Sequence, residues 1–327
     1  MVRSRVIGTG SYAPENLVTN RDMASVVETS DEWISSRTGI RERRISTGET
    51  TSEMAAKAAK AALKAAGISA KDIDLVVVGT VTPEMAFPSV ACFVQSHLGI
   101  KPGAAAFDVS AACSGFLYAL DIADKYMKSG ACKKALVIGV DRFSRILDWK
   151  DRSTCVLFGD GAGAVVLSAE KGSHGVLSCH IHSDGRHWEL LYAPNHYSKS
   201  PFDKEEDKVP HAPCLKMNGN ETFKIAVRTM GSAIKEVMEH NGLVPDDIKL
   251  LIPHQANLRI INAIRDRLGF PDEKVFTNLA RYGNTSAGSI PLALDEAVRS
   301  GMVKSNDTLL FVAFGGGLTW ASAAIKW

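Results

Sequence analysis

One cysteine lies where a helix is predicted to begin. The residues from 107 to 116 read FDVSAACSGF, and a periodic, helix-like run follows from 117 to 127. A thiol in the first turn of a helix is close to unpaired N–H groups and to the positive end of the helix dipole, and both favour the thiolate. Because the thiolate is the reactive form, this position predicts that Cys113 is a nucleophile. A buried, inert cysteine is the competing interpretation.

A histidine and an asparagine are the candidate partners of Cys113. His254 follows the apolar run 250–253 and is predicted to open a helix, whereas Asn284 lies at the predicted start of another helix. Ligands of α/β sheets bind in the crevice at the ends of strands, which favours a site role for His254. A structural histidine and a helix N-cap are the ordinary interpretations of these two residues.

An internal repeat favours the site roles of His254 and Asn284 over these ordinary interpretations. Three pairs of segments match in the same order, each pair about half the chain apart. The pairs are 67–77 with 242–252, 110–121 with 284–295, and 158–163 with 314–317. Asn284 therefore falls in the counterpart of the segment that carries Cys113, and His254 ends the counterpart of the strand 75–79. Pseudo-symmetry between the two copies would bring all three residues toward one centre.

The elements that must position these residues alternate between helix and strand, which predicts an α/β fold. The predicted helices include 52–66 and 221–241, and the predicted strands include 75–79, 135–140 and 309–313. Strands this short and apolar are buried on both faces of a sheet. The proline-rich stretch 192–214 breaks the pattern and is predicted to be a surface loop or flap.

The bulk composition excludes several classes of protein. The chain has 327 residues, of which 45% are hydrophobic and 23% charged, as in ordinary globular proteins. Its net charge of +2 gives no argument for a nucleic-acid partner. No apolar run approaches the length of a membrane span, the start has no signal-peptide core, and the six cysteines show no CxxC pairing. These features predict a soluble, cytoplasmic protein with reduced thiols.

Two further motifs are more simply explained by secondary structure than by a cofactor. The glycines of 159–163 precede a strand-like run and lack the spacing of a dinucleotide loop, so a hairpin turn is predicted there. Cys179, His180 and His182 could supply metal ligands, but no carboxylate or further cysteine follows in a ligand spacing. No metal site is predicted.

Eight blocks of the chain match one known family in order. They are Gly8–Tyr12, Thr29–Ile34, Arg37–Arg43, Ala112–Phe116, Phe158–Gly163, Pro253–Asn257, Gly283–Ser286 and Ala313–Gly317. Together they resemble β-ketoacyl-acyl-carrier-protein synthase III, within the thiolase-like condensing enzymes, nearly from end to end. The resemblance implies a duplicated thiolase-like α/β fold with five layers, α/β/α/β/α, usually as a homodimer. Residues 1–172 would form the half with the nucleophile, and 173–327 the half with His254 and Asn284.

The resemblance also implies a reaction. Cys113 would accept an acyl group from acyl-coenzyme A as a thioester. Malonyl-acyl carrier protein would then lose carbon dioxide and attack as an enolate, which starts type II fatty acid synthesis. His254 and Asn284 would donate hydrogen bonds to the thioester oxygen, and the backbone N–H groups of Cys113 and Gly316 would form the oxyanion hole. Acyl-coenzyme A is a substrate here, and no cofactor is implied.

The same resemblance assigns binding residues. The positions that match the coenzyme A groove and the pantetheine channel are Trp33, Arg37, Arg152, Gly219 and Asn257. An indole can stack on adenine and a guanidinium can pair with phosphate, although Trp33 and Arg37 could merely pack a helix. Phe87 matches the position that limits the depth of the acyl pocket, often across the dimer interface. Lys224 and Arg259 match docking positions for the acidic acyl carrier protein.

Three alternatives stay open at this point. A divergent acyltransferase or condensing enzyme of secondary metabolism would use another extender substrate. A cysteine hydrolase would share the order Cys, His, Asn with papain-like proteases, but their C-G-[SA]-C-[WY] block is absent. A non-catalytic acyl-binding subunit is disfavoured because all three catalytic residue types are present. The length and branching of the acyl primer are not fixed by the sequence, and the long 192–214 stretch could alter acyl entry.

Overall fold

Two large β-sheets, two short strand pairs and the helices around them make up the described part of the fold. The computed structural model describes residues 2–194 and 214–327, so most of the predicted loop 192–214 lies outside the described residues. The strands are β1 (Val2–Tyr12), β2 (Leu17–Thr19), β3 (Glu42–Arg44), β4 (Leu75–Gly79), β5 (Ala105–Val109), β6 (Lys134–Arg142), β7 (Asp160–Lys171), β8 (Gly175–Ser183), β9 (Leu191–Tyr192), β10 (Lys216–Met217), β11 (Leu250–Pro253), β12 (Thr308–Gly315) and β13 (Thr319–Lys326). The helices are α1 (Asn20–Ala24), α2 (Asp31–Thr38), α3 (Thr51–Ala66), α4 (Val90–Leu98), α5 (Gly115–Lys128), α6 (Arg152–Cys155), α7 (Gly219–Asn241), α8 (Leu258–Leu268), α9 (Leu279–Tyr282) and α10 (Ser289–Arg299).

The two large sheets use separate parts of the chain. The first has the strand order β1-β7-β6-β4-β5, and the second has the order β11-β12-β13-β8. In each sheet a parallel pair, β4 with β6 or β11 with β12, continues into an antiparallel neighbour. The strands of the first sheet all precede residue 172 and those of the second all follow 173. The division into halves at that point stays a prediction.

Five layers of secondary structure stack on one another. Helices α3 and α4 pack on the outer face of the first sheet, and α7 and α8 pack on the outer face of the second. Helices α5 and α10 fill the space between the sheets, where Leu117 and Leu294 join one buried cluster with residues of both sheets. The order α/β/α/β/α, a duplicated thiolase-like fold, is confirmed.

Local signals explain where the outer helices begin and end. A capping box of Thr50 and Glu53 starts α3, and Gly67 ends it in the left-handed conformation. Helix α7 ends in the same way at Gly242. These bounds agree with the predicted helices 52–66 and 221–241 to within two residues. Within the described ranges, none of the helices is both long and apolar enough to cross a bilayer.

The prediction of a hairpin turn at 159–163 is wrong. Gly161 and Gly163 lie inside β7, where they pair with β6. A Cβ atom on Gly163 would lie 2.5 Å from the backbone nitrogen of Leu292, so the glycine lets α10 pack directly against this strand. Gly316 and Gly317, by contrast, lie in the turn of the antiparallel hairpin formed by β12 and β13.

Candidate active site

Cys113 lies on a tight turn that leads into the central helix α5. The 3-10 turn Ala112–Ser114 precedes the helix, and Ala112 has a left-handed φ of 45°. The hairpin between β12 and β13 approaches this turn closely, since a Cβ atom on Gly315 would lie 2.6 Å from the backbone nitrogen of Cys113. The predicted helix start is therefore present, but the α-helix itself begins at Gly115.

Burial controls the protonation of Cys113. The residue is 6% exposed, and its burial raises the pKa of the thiol to about 12, although the Ser286 side chain lowers it in part. The negative charge of buried Asp141 adds to the increase in the pKa. The prediction that the surroundings favour the thiolate is therefore wrong, because the resting group at neutral pH is the thiol.

His254 lies in a loop after β11 and not in a helix as predicted, because α8 begins only at Leu258. Its side chain is 2% exposed, and its Nδ1 lies 2.7 Å from the Oγ of Ser289. Burial lowers the pKa of His254 to about 3, so the imidazole is neutral. We assign the Ser289 hydroxyl as the donor to Nδ1, which puts the ring proton on Nε2, where it can be donated to a ligand.

The neutral state of His254 makes the stability of the fold sensitive to acid. The pKa of about 3 in the folded chain lies below the ordinary value of 6.5, so between these values the unfolded chain binds more protons. Stability is therefore lost as the pH falls through this window, at up to about 1.4 kcal/mol per pH unit. Urea unfolding between pH 4 and 7 should show a shallower pH dependence for His254→Gln. Parallel curves for the two proteins would contradict this expectation.

Asn284 is held by the turn that follows it. The residue lies between α9 and the 3-10 turn Ser286–Gly288, and its Oδ1 accepts a hydrogen bond of 2.8 Å from the backbone N–H of Ser286. Its own backbone N–H donates to the carbonyl of Leu157 at 2.8 Å. Asn284 was predicted to cap a helix, but its side chain instead stabilises the local turn that precedes α10. With its oxygen engaged, the carboxamide has its N–H₂ group to offer a ligand.

The repeat is visible in the backbone at the centre of the molecule. Ala112 and Ser286 occupy equivalent positions in the two matching segments, and both are left-handed, with φ of 45° and 49°. The turns that contain them meet, because the Oγ of Ser286 lies 3.4 Å from the Sγ of Cys113. The structure thus brings together the segments of Cys113 and Asn284, as the pseudo-symmetry predicts.

A cavity of about 1020 Å³ opens onto this centre. Its walls include Cys113, His254, Asn284 and Gly316. The carbonyl of Gly316 accepts a hydrogen bond of 3.2 Å from Oγ1 of Thr319, which fixes the peptide of the hairpin beside the cysteine. A thiol, a neutral imidazole, a carboxamide and a fixed backbone turn therefore line one cavity.

Other predicted binding residues line the outer part of the same cavity. They are Arg37, Gly219, Asn257, Lys224 and Arg259. Asn257 caps α8 by accepting a hydrogen bond of 2.8 Å from the N–H of Arg259, and its Nδ2 donates to the carbonyl of Arg37 at 3.2 Å. Lys224 is exposed and forms an ion pair of 2.8 Å with Glu221. The cavity mouth thus carries positive charge.

Trp33 and Arg152 lie next to the cavity without lining it. The guanidinium carbons of Arg37 and Arg152 lie 4.7 and 4.8 Å from the centre of the Trp33 ring. Arg152 is held in addition by the carbonyl of Glu28, at 3.0 Å. The three side chains form one cationic and aromatic platform, which is suited to a planar, anionic ligand.

Phe87 is not part of the cavity within a single chain. Phe87 is 84% exposed, and the nearby Met85 is 55% exposed. The role predicted for Phe87 in an acyl pocket therefore stays a prediction.

The histidines considered as metal ligands have other partners. His182 lies 2.9 Å and His180 3.4 Å from the carboxylate of Glu236. In the part of the chain that the structure describes, no group of three histidine, cysteine or acidic side chains is arranged to hold a metal ion.

Sequence analysis does not single out Ser286, Ser289 or Asp141. The two serines contact the cysteine and the histidine, and both follow Asn284 within a block that the repeat had already marked. Their spacing of three residues around a helix start was the available signal. No sequence signal marks Asp141, because its hydrogen-bond partners come from distant parts of the chain, near residues 80–82 and 287.

Comparisons with known proteins agree with this geometry. A model described as 3-oxoacyl-[acyl-carrier-protein (ACP)] synthase III matches residues 107–185, and one for the C-terminal part of the same protein matches 238–327. A β-ketoacyl-[acyl-carrier-protein] synthase III of Xanthomonas campestris pv. campestris is 53% identical, over 100% of this chain and 99% of its own. The crystal structure of 3-oxoacyl-[acyl-carrier-protein] synthase III from Aquifex aeolicus VF5 is 49% identical, with a TM-score of 0.92 over 99% of this chain and 100% of its own. A priming β-ketosynthase of the R1128 polyketide pathway is 38% identical, with a TM-score of 0.89 over 99% and 96%.

The duplicated fold is that of the thiolase-like condensing enzymes. The chain belongs to the β-ketoacyl-acyl-carrier-protein synthase III family. The family and the condensing acyltransferase activity predicted from the sequence are confirmed, and the cysteine hydrolase alternative is wrong. The identity to the synthase III proteins, 53% and 49%, is higher than the 38% to the polyketide ketosynthase, which favours fatty acid synthesis over secondary metabolism.

Proposed function

We propose that this chain condenses an acyl-coenzyme A primer with malonyl-acyl carrier protein through a thioester on Cys113. The observation that carries the proposal is the convergence of Cys113, His254 and Asn284 on the wall of one cavity. Acyl-coenzyme A is a substrate in this reaction, and the proposal requires no resident cofactor.

In the first half-reaction the sulfur of Cys113 attacks the carbonyl carbon of the acyl thioester. The new S–acyl bond replaces the bond between the acyl group and coenzyme A, and the thiol proton leaves with coenzyme A. The negative charge that develops on the carbonyl oxygen needs fixed donors, for which we propose the N–H groups of Cys113 and Gly316. The close approach of Gly315 to Cys113 supports this assignment, because it holds the two peptides side by side.

In the second half-reaction malonyl-acyl carrier protein loses carbon dioxide and becomes an enolate. The enolate carbon attacks the acyl group on Cys113, which gives the β-ketoacyl product and expels the sulfur as a thiolate. The thiolate then takes a proton from solvent, which restores the thiol. Nε2–H of His254 and N–H₂ of Asn284 would stabilise the enolate oxygen as donors. A neutral imidazole suits this role, because it donates a hydrogen bond without requiring a buried positive charge.

The platform of Trp33, Arg37 and Arg152 is proposed to bind the nucleotide end of coenzyme A. Replacing Trp33 by alanine should raise KM for acyl-coenzyme A by roughly tenfold and leave kcat nearly unchanged, because stacking and cation–π contacts act on binding alone. Steady-state kinetics with acetyl-coenzyme A measures both constants. An acyl-N-acetylcysteamine substrate lacks the nucleotide, so its KM should not change. An equal rise for both substrates would contradict the assignment.

Lys224 and Arg259 are proposed to guide the acyl carrier protein to the cavity. Both lie at its mouth, and the guanidinium of Arg259 is held 5.9 Å from the ring of Phe223. Positive side chains at the cavity mouth complement the acidic acyl carrier protein and accelerate its association. Gly219 and Asn257 line the same cavity, and the pantetheine arm is proposed to pass beside them.

A homodimer is proposed to complete the acyl pocket. Strand β5 is an edge of the first sheet, and exposed edges are templates for pairing with another chain. Phe87 and Met85 are large, exposed and apolar. Light scattering should give twice the mass of one chain, and Phe87→Ala should admit longer primers. A monomer with unchanged primer preference would oppose this arrangement.

The cytoplasm is the proposed compartment. Each of the six cysteines carries a free thiol, which suits a reducing environment.

A two-step mass-spectrometric assay tests the proposed function. The protein is first incubated with acetyl-, longer and branched acyl-coenzyme A, and the acyl adduct is mapped. Malonyl-acyl carrier protein is then added, and the β-ketoacyl product is measured. We expect an adduct on Cys113 that is consumed on addition of the extender, which also ranks the primers. A stable adduct would point to a divergent acyltransferase, and no adduct with any donor would overturn the proposal.

A further inference from the structure

We infer that Ser286 is a further catalytic residue, whose hydroxyl donates a hydrogen bond to the sulfur of Cys113 as the thiol loses its proton. The inference rests on the proposed role of Cys113 as nucleophile. It adds a donor on the sulfur side of the reaction, whereas the oxyanion hole acts on the carbonyl oxygen.

The contact is direct and buried. The Oγ of Ser286 lies 3.4 Å from the Sγ of Cys113, with 0% and 6% of the two residues exposed. A hydrogen bond to a buried charged atom contributes more than one in water, because no solvent competes for the donor. Ser286 is therefore placed to stabilise negative charge on the sulfur.

Burial raises the pKa of the Asp141 carboxyl, and the nearby Ser286 hydroxyl lowers it in part. This carboxylate is fully buried and accepts four hydrogen bonds. The donors are Oγ1 of Thr80 at 3.0 Å, N–H of Val81 at 2.9 Å, Oγ1 of Thr82 at 2.9 Å and N–H of Ala287 at 3.2 Å. Because Asp141 has these four donors, it stays satisfied while the Ser286 hydroxyl donates to the sulfur.

The Ser286 hydroxyl already donates to the sulfur of the resting thiol. When the thiol proton leaves, the same hydrogen bond is made to a negatively charged sulfur and becomes stronger. The serine proton is never transferred. In the acylation step the S–acyl bond forms, the bond to coenzyme A breaks, and the cysteine proton ends on coenzyme A.

The backbone holds Ser286 in place for this hydrogen bond. Its φ of 49° is unusual for a residue with a side chain, and its N–H is fixed to Oδ1 of Asn284 at 2.8 Å. The turn is also pressed against β6, because a Cβ atom on Gly139 would lie 2.1 Å from the carbonyl oxygen of Ala287. The hydroxyl thus points at the sulfur from a rigid support.

Alkylation by iodoacetamide tests the inference without relying on condensation. Ser286→Ala and Ser286→Gly both remove the hydroxyl and keep the N–H that holds Asn284, but only glycine relaxes the left-handed backbone. We expect both variants to alkylate Cys113 roughly tenfold more slowly at pH 8, since less thiolate is present. Single-turnover acylation by acetyl-coenzyme A should slow to a similar extent. Ser232→Ala on the exposed side of α7 is the matched control and should behave as the parent.

The two substitutions together distinguish the effect of the lost hydroxyl from the effect of the strained backbone on the alkylation rate. If alanine slows alkylation and glycine does not, backbone strain is responsible and the inference is overturned. Unchanged rates in both variants would overturn it as well. Should the alanine variant not fold, as judged by circular dichroism, the glycine variant alone decides. Failure of the parent to form an acyl adduct would instead sink the proposed function, whatever the alkylation rates.

Discussion

Replacing Cys113 by alanine is expected to abolish acyl transfer. The substitution removes the atom that carries the acyl group, and loss of a nucleophile lowers kcat by about 10³-fold or more. The intact mass of the variant should stay unchanged after incubation with acyl-coenzyme A, and no β-ketoacyl product should form. The fold should persist, because alanine fits the space of the thiol.

Cys132 supplies a matched control for this substitution. It is 7% exposed, against 6% for Cys113, but it lies outside the cavity. Cys132→Ala should therefore form the acyl adduct and the product at rates close to those of the parent. An adduct that disappears in Cys132→Ala, or that persists in Cys113→Ala, would place the nucleophile elsewhere.

Replacing His254 by alanine is expected to separate the two half-reactions. The variant should still form the thioester on Cys113, but condensation should fall by roughly 10² to 10³-fold, the usual effect of removing one donor to a developing oxyanion. Release of carbon dioxide from malonyl-acyl carrier protein measures the second step, and the intact mass of the protein measures the first.

His254→Gln is the informative companion, because its amide retains an N–H donor near the position of Nε2. Part of the condensation rate should return in this variant. If His254→Ala slowed acylation as much as condensation, the histidine would act on Cys113 itself and not on the enolate.

The sequence predicted the regular elements well, because their signals are local. Strand β4 has the predicted bounds of 75–79, and the outer helices differ from prediction only at their first residues. The error at Gly161 and Gly163 arose because glycines serve equally for a turn and for close packing. Which of the two applies depends on α10, which lies more than a hundred residues away in the chain.

The structure brings the predicted site residues to one cavity, but the electrostatics of that cavity differ from the prediction. The repeat placed Cys113 and Asn284 in segments that meet. The protonation of Cys113 was mispredicted because a helix start is visible in sequence, whereas burial is a property of the whole fold. Ser286 was missed for a related reason, since its importance depends on what its hydroxyl touches.

Helices α5 and α10 both begin at the centre of the molecule, one beside Cys113 and the other beside His254. Their positive ends therefore face the proposed reacting atoms, and like the buried charge of Asp141 they are shielded from the dissolved ions that screen surface charges. Lys224 and Arg259, in contrast, face solvent at the cavity mouth. Added salt should consequently affect the binding and the chemical steps of the catalytic cycle differently. Delivery of the carrier protein weakens as salt is added, whereas the bond-forming steps in the interior proceed at nearly constant rate.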